Sequence, residues 1–159
     1  MLTPTQTLRL SAAAQAAVTC EHETGLPAEI TVAQWALESG WGSAAPGNNC
    51  FGIKAVKGCA VQQLPTVEYI HGERTETTCG FAAFNDLAEC FDVHARLITG
   101  GKPYAGAWAQ YQRDHDVLAL IAGIAPHYAT DPSYAAKLRG IISMGAVRTA
   151  IEGFREVHV

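Results

Sequence analysis

The sequence is poor in charged residues and has no basic excess. Only 16% of its residues are charged, and 11 Lys and Arg stand against 15 Asp and Glu, so the formal net charge is −4. A protein that binds the phosphates of nucleic acid needs a basic face, so nucleic acid is not predicted as a partner. The sequence also lacks an apolar run of about 18 residues, so no membrane span is predicted.

Repeats, low-complexity segments and linkers are absent as well. A chain of 159 residues with 48% hydrophobic content is sufficient for one packed core, which argues against disorder. We therefore expect a single domain over residues 1–159, and a monomer. Polar residues interrupt the first twenty positions, and no basic segment precedes an apolar stretch, so we expect no signal peptide in this sequence.

Metal-binding motifs are missing too. There is no C-x-x-C pair, and His22-Glu23 does not continue to H-E-x-x-H, so neither a metal nor a cofactor is predicted. The cysteines are odd in number, which leaves at least one thiol free; they are Cys20, Cys50, Cys59, Cys79 and Cys90. One disulfide such as Cys50–Cys59 and a set of small buried thiols are both open predictions.

Hydrophobic spacing divides the chain into three regions. The first predicts a helix over residues 5–24 that ends at Gly25, and a second helix from about residue 26 to Glu38. The apolar stripe of the first helix is predicted to contain Leu8, Ala12, Gln15, Ala16, Thr19 and Cys20. The middle region breaks the helical period, and its alternating segments 66–70 and 76–84 around His71-Gly72 predict an antiparallel hairpin.

The third region returns to helical spacing. Asn85 is predicted to cap a helix over residues 86–99, whose core stripe contains Leu87, Cys90, Phe91, His94 and Ile98. Further helices are predicted over residues 104–112, 116–123, 131–144 and 146–156. The pattern therefore predicts a mainly α, α+β domain in which a small β-lobe, about residues 51–84, forms one wall of a cleft.

Glu38 lies at the end of an apolar helix, in the segment Ala-Gln-Trp-Ala-Leu-Glu-Ser-Gly-Trp-Gly. The C-terminal end of a helix carries partial negative charge, which disfavours an ionised carboxylate. Trp35, Leu37 and Trp41 would also remove water from it. Both effects favour a protonated carboxyl, which glycoside cleavage needs as its general acid. The alternative is an ordinary exposed glutamate at a helix end.

This segment resembles the catalytic motif of glycoside hydrolase family 73, which contains peptidoglycan N-acetylglucosaminidases of flagellar-rod and autolysin type. Further blocks resemble that family in the same order, and they lie at residues 48–54, 66–69, 81–87 and 128–135. Together the blocks extend over about residues 30–142. The resemblance implies a lysozyme-like fold and a glycosidase that cuts the β-1,4 bond after N-acetylglucosamine in peptidoglycan.

The resemblance also implies roles for single residues. Glu38 matches the general acid, and Glu68 matches a second carboxylate on the β-lobe, with Glu76 as a rival. Tyr128 matches a tyrosine beside the scissile bond. Substrate-binding or cleft-shaping roles fall on Trp41, Asn49, Phe51 and Tyr134. Cys50 departs from the family pattern, and together with Cys59 and Cys79 it suggests a disulfide-braced β-lobe.

Several alternatives remain open at this point. Glu68 could act as base in an inverting route if it closes to about 6.5–9.5 Å from Glu38, or the substrate's own acetamido group could assist. A muramidase or lytic transglycosylase would need the same acid but cut the other linkage. A non-catalytic wall-binding module is a third reading. A thiol peptidase or amidase would use Cys20, Cys79 or Cys90 with His94 or His127.

The expected absence of a signal peptide also bears on how the protein would reach the cell wall. A hydrolase of the cell wall or periplasm without a signal peptide would be made in the cytoplasm. Its release would then depend on a phage holin or on a secretion machine, as in an endolysin or a secreted effector.

Overall fold

The computed structural model describes residues 1–157, in which helices surround one core and a single hairpin projects from it. The helices are α1 (Pro4–Thr24), α2 (Ala28–Ser39), α3 (Leu87–Gly100), α4 (Ala105–Asp114), α5 (Val117–Tyr128), α6 (Tyr134–Ile142) and α7 (Gly145–Val157). The strands are β1 (Ala60–Ile70) and β2 (Glu73–Ala83), and short 3-10 turns lie at Pro46–Asn48 and Lys102–Tyr104. The predicted mainly α, α+β fold is confirmed. Across residues 1–157, no helix combines the length and apolar character that a bilayer crossing requires.

Helix α1 has the predicted ends but not the predicted buried face. Thr3 and Gln6 form a reciprocal capping box, and Gly25 closes the helix at φ 81°. Leu8, the largest residue of the predicted stripe, is 74% exposed. The buried residues are Leu10, Ala13, Ala14, Ala17, Val18 and Cys20. This alanine-rich face is buried because α2, α3 and α7 all pack on α1, and small side chains let several helices approach closely.

Helix α2 passes through the middle of the core, in contact with α1, α5, α6 and α7. All but one of the residues between Ala28 and Ala36 are buried, including the polar Thr31 and Gln34. The helix ends where Gly40 adopts a left-handed conformation at φ 56°. Glu38, in its last turn, is therefore carried by a support that is packed on all sides.

The hairpin is antiparallel as predicted, and its strands are longer than the predicted segments. Its register pairs Ala60 with Ala83 at the base and Ile70 with Glu73 at the tip. His71 and Gly72 both have positive φ, the backbone that a tight two-residue turn requires. The base is fixed to the segment that follows α2, since the Gln62 amide donates to the carbonyl of Pro46 over 2.7 Å. This arrangement is that of a β-lobe beside the end of α2.

The third region differs from prediction at its helix ends. Asp86, not Asn85, caps α3, because the Asp86 carboxylate accepts from the amide of Glu89 over 2.8 Å. Helix α5 does not stop at Gly123 and continues to Tyr128. Gly123 is a packing residue, since a Cβ there would lie 2.4 Å from the Cβ of Ala107.

Helix α6 begins three residues later than predicted. Its predicted start, Asp131-Pro132, forms a turn in which the Asp131 carboxylate accepts from the amide of Ser133 over 2.8 Å. The helix itself starts at Tyr134.

All five cysteines are free thiols, so the predicted Cys50–Cys59 disulfide is wrong. Cys50 is buried against α3, where its amide donates to the sulfur of Cys90 over 3.5 Å. Cys59 is only half-buried. The other prediction, small buried thiols, holds for Cys20, Cys50 and Cys90.

Arg155 joins the last helix to the first two. Its guanidinium donates to both carboxylate oxygens of Glu21 on α1 and to both of Glu29 on α2, at 2.5–3.1 Å. Burial by itself raises the pKa of the Glu29 carboxyl, but the hydrogen bonds from Arg155 and the backbone outweigh it and lower the pKa overall. The cluster closes the core on the side of α7.

We predict that Arg155→Met lowers the free energy of unfolding at pH 7 by about 2 kcal/mol. The change leaves the carboxylates of Glu21 and Glu29 facing each other without a cation, and solvent screens their repulsion in part. The pKa of Glu29 is lower in the folded state than in the unfolded state. Its contribution to the free energy of unfolding is therefore present above the unfolded pKa of about 4.3 and is lost as the pH falls through its pKa in the folded state. Urea unfolding at pH 7 and pH 3 should show the difference between variant and wild type shrinking at pH 3.

The matched control is Arg148→Met, on the same helix but exposed. It should change the stability by less than about 0.5 kcal/mol. Equal stabilities of Arg155→Met and wild type at pH 7 would contradict the role assigned to this cluster.

Candidate active site

Glu38 is an exposed residue whose carboxylate is held at one oxygen. Its Oε1 accepts a hydrogen bond of 2.8 Å from the hydroxyl of Tyr134 on α6. The predicted enclosure by Trp35, Leu37 and Trp41 is not found, because Glu38 remains exposed. The Trp41 ring packs edge-on against Trp35, with centroids 6.0 Å apart.

The turn after Glu38 explains the residues Ser-Gly-Trp-Gly. Gly40, Trp41 and Gly42 all adopt left-handed backbone, at φ 56°, 57° and 79°. The positive φ at position 42 favours glycine, and a Cβ there would also make a tight contact of 3.1 Å with the Trp35 ring. Ser39 ties the turn to the helix, since its hydroxyl donates to the carbonyl of Trp35 and accepts from the amide of Gly42. The motif therefore stops α2 just beyond the carboxyl.

Two tyrosines lie beside Glu38. Tyr134 is buried, and its ring stacks on that of Tyr128 with centroids 5.7 Å apart and planes 13° apart. Burial, reinforced by the negative charge of Glu38, raises the pKa of both phenols well above the usual range, so both stay protonated. Within residues 1–157 the Tyr128 hydroxyl has no hydrogen-bond partner, and it is not among the fully buried polar atoms. It is thus available to a ligand.

Two buried polar residues stand behind this pair. The Gln34 amide donates to the Tyr134 hydroxyl over 3.1 Å, and its carbonyl oxygen lies 2.9 Å from Nε2 of His94 on α3. Burial lowers the pKa of His94 to about 3, so the ring is neutral. Sequence reasoning assigned neither residue to the site. The available signal for His94 was a polar residue on the predicted core stripe of residues 86–99, and for Gln34 a polar residue within an otherwise apolar helix segment.

Asn49 and Phe51 support the site from behind. The buried Asn49 amide donates to the carbonyls of Ile53 and Ala82, both at 2.9 Å, and its oxygen accepts from the amides of Phe51 and Ile53. All its hydrogen-bonding capacity is used to fasten the loop to β2. The buried ring of Phe51 stacks on His94, with centroids 3.9 Å apart. These contacts fit the cleft-shaping role that was expected of both residues.

Glu68 and Glu76 lie on opposite faces of the hairpin. Glu68 is paired with Thr75 and Glu76 with Val67, and side chains alternate along a strand. The face of Glu68 also carries the half-buried Gln62, Leu64 and Thr66. Glu76 is on the more exposed face and pairs with Arg74 over 3.2 Å. The hydrogen bond from Tyr134 and the ring stack of Tyr134 on Tyr128 bring together Glu38, Tyr128 and Tyr134.

A cavity of about 510 Å³ lies between α5 and α6. It is lined by small and mostly apolar residues, namely Ala122, Ala125, Pro126, Ala129, Thr130, Asp131, Pro132 and Ala135. None of the predicted site residues is among them. In the described part of the chain, no group of three His, Cys, Asp or Glu side chains is arranged to hold a metal ion.

These features define a lysozyme-like helical domain with a carboxyl-centred site. The sequence model of the Glucosaminidase family, described as mannosyl-glycoprotein endo-beta-N-acetylglucosaminidase, matches residues 14–145. The chain therefore belongs to this family, glycoside hydrolase family 73, as its motifs predicted.

Individual relatives agree with this assignment. Peptidoglycan hydrolase FlgJ of Salmonella typhimurium is 34% identical over 132 residues, which cover 76% of this chain and 40% of that protein. A probable N-acetylmuramidase of Lactococcus lactis is 35% identical over 132 residues, covering 75% of this chain and 29% of its own. The chain thus spans less than half the length of these relatives. The catalytic domain of the autolysin Auto from Listeria monocytogenes superposes with a TM-score of 0.80 at 25% identity, covering 96% of this chain and 89% of that one.

We predict that Asn49→Asp lowers the free energy of unfolding by about 3 kcal/mol. The change keeps the shape but removes two donors and places a carboxylate against two carbonyl oxygens. Urea unfolding at pH 7 measures it. Asn85→Asp, an exposed control, should change stability by less than about 0.5 kcal/mol. A wild-type stability for Asn49→Asp would show that the four hydrogen bonds do not fasten the loop.

Proposed function

We propose that residues 1–159 act as a single catalytic domain that cuts the β-1,4 bond after N-acetylglucosamine in the glycan strands of peptidoglycan. The observation that carries this proposal is the state of Glu38. One of its oxygens is held by Tyr134, while the exposed side of the residue is open to a bound sugar. Membership of the glucosaminidase family supports the same reaction class.

Glu38 is proposed as the general acid that protonates the glycosidic oxygen as the bond breaks. Its exposure means that the substrate itself supplies the desolvation that was expected from the tryptophans. A glycan strand lying over the helix end would exclude water from the carboxyl, and the negative end of the α2 dipole would then favour the protonated form. Glu38 would therefore carry its proton in the bound state.

Tyr128 is proposed to contact the reacting sugar. Its hydroxyl is a neutral phenol without a protein partner in residues 1–157 and lies beside Glu38. A phenol so placed can donate to the acetamido oxygen or orient a water molecule. The partly exposed Trp41 would add a further contact to the sugar, while the buried Tyr134 ring supports Tyr128 from behind.

Glu68 is the proposed partner for the water. It is exposed near the tip of the hairpin, on the less exposed of the two faces. A carboxylate about 6.5–9.5 Å from the acid can activate water in an inverting route, and we propose that the hairpin brings Glu68 to that distance when substrate binds. If the hairpin does not bring Glu68 to that distance, the acetamido group of the substrate assists the reaction in place of Glu68.

The thiol peptidase alternative finds no support in the geometry at Cys20 or Cys90. Burial raises the pKa of Cys20, and the contact with Cys50 together with burial raises the pKa of Cys90, so both stay as thiols. His94 is engaged by Gln34, and the ring of His127 lies against Tyr104.

Action on the wall or in the periplasm fits the proposal. Release by a holin or a secretion machine remains part of it.

We predict that Glu38→Gln lowers the release of soluble fragments from purified peptidoglycan by about 10³-fold, because it removes the proton donor at nearly constant shape. Mass spectrometry of the wild-type fragments should show N-acetylglucosamine at the reducing end. The variant should keep the wild-type melting temperature. Full activity of Glu38→Gln contradicts the proposed acid, and anhydro-muramyl ends would assign the other linkage, as in a lytic transglycosylase.

We predict that Glu68→Gln lowers kcat by about 10²-fold, whereas Glu76→Gln on the opposite face leaves it within about twofold. NMR of the first product should then show an inverted anomeric centre. Retained configuration with an active Glu68→Gln variant would remove Glu68 from the mechanism and favour assistance by the substrate.

A further inference from the structure

Three hydrogen bonds connect the core to Glu38 in a single line. His94 on α3 contacts Gln34 on α2, Gln34 contacts Tyr134 on α6, and Tyr134 contacts Glu38 at the end of α2. Both His94 and Gln34 are at most 1% exposed, and Tyr134 is 4% exposed. The line thus begins in the dry interior and ends at an exposed carboxylate.

The direction of this line is set by the free nitrogen of His94. Within residues 1–157, its Nδ1 is buried and has no partner. A buried N–H without an acceptor costs more than a lone pair without a donor, so the ring proton belongs on Nε2. Nε2–H then donates to the Gln34 oxygen, the Gln34 amide donates to the Tyr134 oxygen, and the Tyr134 hydroxyl must donate outward to Glu38.

We propose that His94 and Gln34 are positioning residues that act through Tyr134 to hold Oε1 of Glu38 as an acceptor, so that the reacting proton of the acid resides on Oε2. The proposal rests on Glu38 being the general acid. A carboxyl that accepts at Oε1 carries its own proton on the other oxygen. The line of donors therefore selects which oxygen delivers the proton to the glycosidic bond.

The energetics favour this function over a purely structural one. Burying an amide and an imidazole costs free energy unless their hydrogen bonds are made, and apolar side chains of the same volume would fill the space without that requirement. The His94 ring is also fixed in place, stacked on Phe51 and edge-on to Tyr128. The network is rigid and desolvated up to its last member, which is what precise orientation of an acid needs.

The test begins with Gln34→Met, which keeps the length of the side chain but breaks both links. We expect kcat on peptidoglycan to fall about tenfold, the value of one hydrogen bond to a charged group, while KM stays within about twofold. The matched control is Thr31→Val, one turn earlier on α2. Thr31 is buried and its hydroxyl has no partner in residues 1–157, so this variant should retain wild-type kcat.

A double-mutant cycle separates positioning from distortion of α2. If Gln34 acts through Tyr134, Gln34→Met has no further effect on kcat in the Tyr134→Phe background. If it merely moves the helix, the two losses multiply. Multiplying losses, or an unchanged kcat in Gln34→Met alone, overturn the proposal. Glu38→Gln, made alongside, is inactive in either case if the proposed function is correct, so the two failures are distinguishable.

A measurement on the unmodified protein keeps the proposal testable if Gln34→Met does not fold. Two-bond ¹H–¹⁵N NMR spectra of histidine-labelled protein report which ring nitrogen carries the proton. Burial lowers the pKa of His94 to about 3, so its ring stays neutral over the pH range of the measurement. We expect the Nε2–H tautomer. The Nδ1–H tautomer would reverse every donor in the line and contradict the assignment of the proton to Oε2.

Discussion

The hydrogen bond from Tyr134 to Glu38 links the interior of this protein to the carboxyl that is open to a ligand. Tyr134 begins α6, and Glu38 lies in the last turn of α2, so the bond exists only while these two helices keep their contact. Its geometry depends on groups that are themselves buried and fixed, Gln34 and His94. The helical core is thereby the structure that orients the acid, since no other described residue bonds its side chain.

The exposed side of Glu38 is equally a product of the local backbone. Three successive left-handed residues turn the chain away directly after α2, and the Trp41 ring packs on Trp35. The same loop then passes to Pro46 and Asn49, which are hydrogen-bonded to Gln62 and Ala82 of the hairpin. One short segment therefore ends the helix, uncovers the carboxyl and sets the base of the β-lobe. Under the proposed mechanism, the substrate excludes water from Glu38, whereas the free protein leaves it solvated.

Much of this arrangement could be predicted from local chemistry. Gly25, Gly40 and the His71-Gly72 turn mark element ends through backbone conformation, which is a property of neighbouring residues alone. Apart from Cys20, the α1 stripe was wrong, because three helices pack on one alanine-rich face, which local periodicity does not reveal. Gly123 was mistaken for a helix end because its reason is contact with Ala107 on another helix.

The site was predictable to a similar degree. Glu38, Tyr128 and Tyr134 were found from the family motifs and do lie together. Gln34 and His94 were missed because their role exists only where three helices meet. Glu68 and Glu76 lie on opposite faces of the hairpin, and predicting this requires the register of β1 and β2. The turn residues imply that register, whereas the spacing of the two glutamates along the sequence does not.

An uncovered carboxyl, anchored at one oxygen, is proposed to receive the glycan strand. A crystal structure of the Glu38→Gln variant with a bound peptidoglycan fragment would show directly whether it does. We expect a glycosidic oxygen within about 3 Å of the side-chain atom of residue 38 that Tyr134 does not hold. A fragment seated instead in the cavity between α5 and α6, with residue 38 still open to solvent, would contradict the proposed role of Glu38.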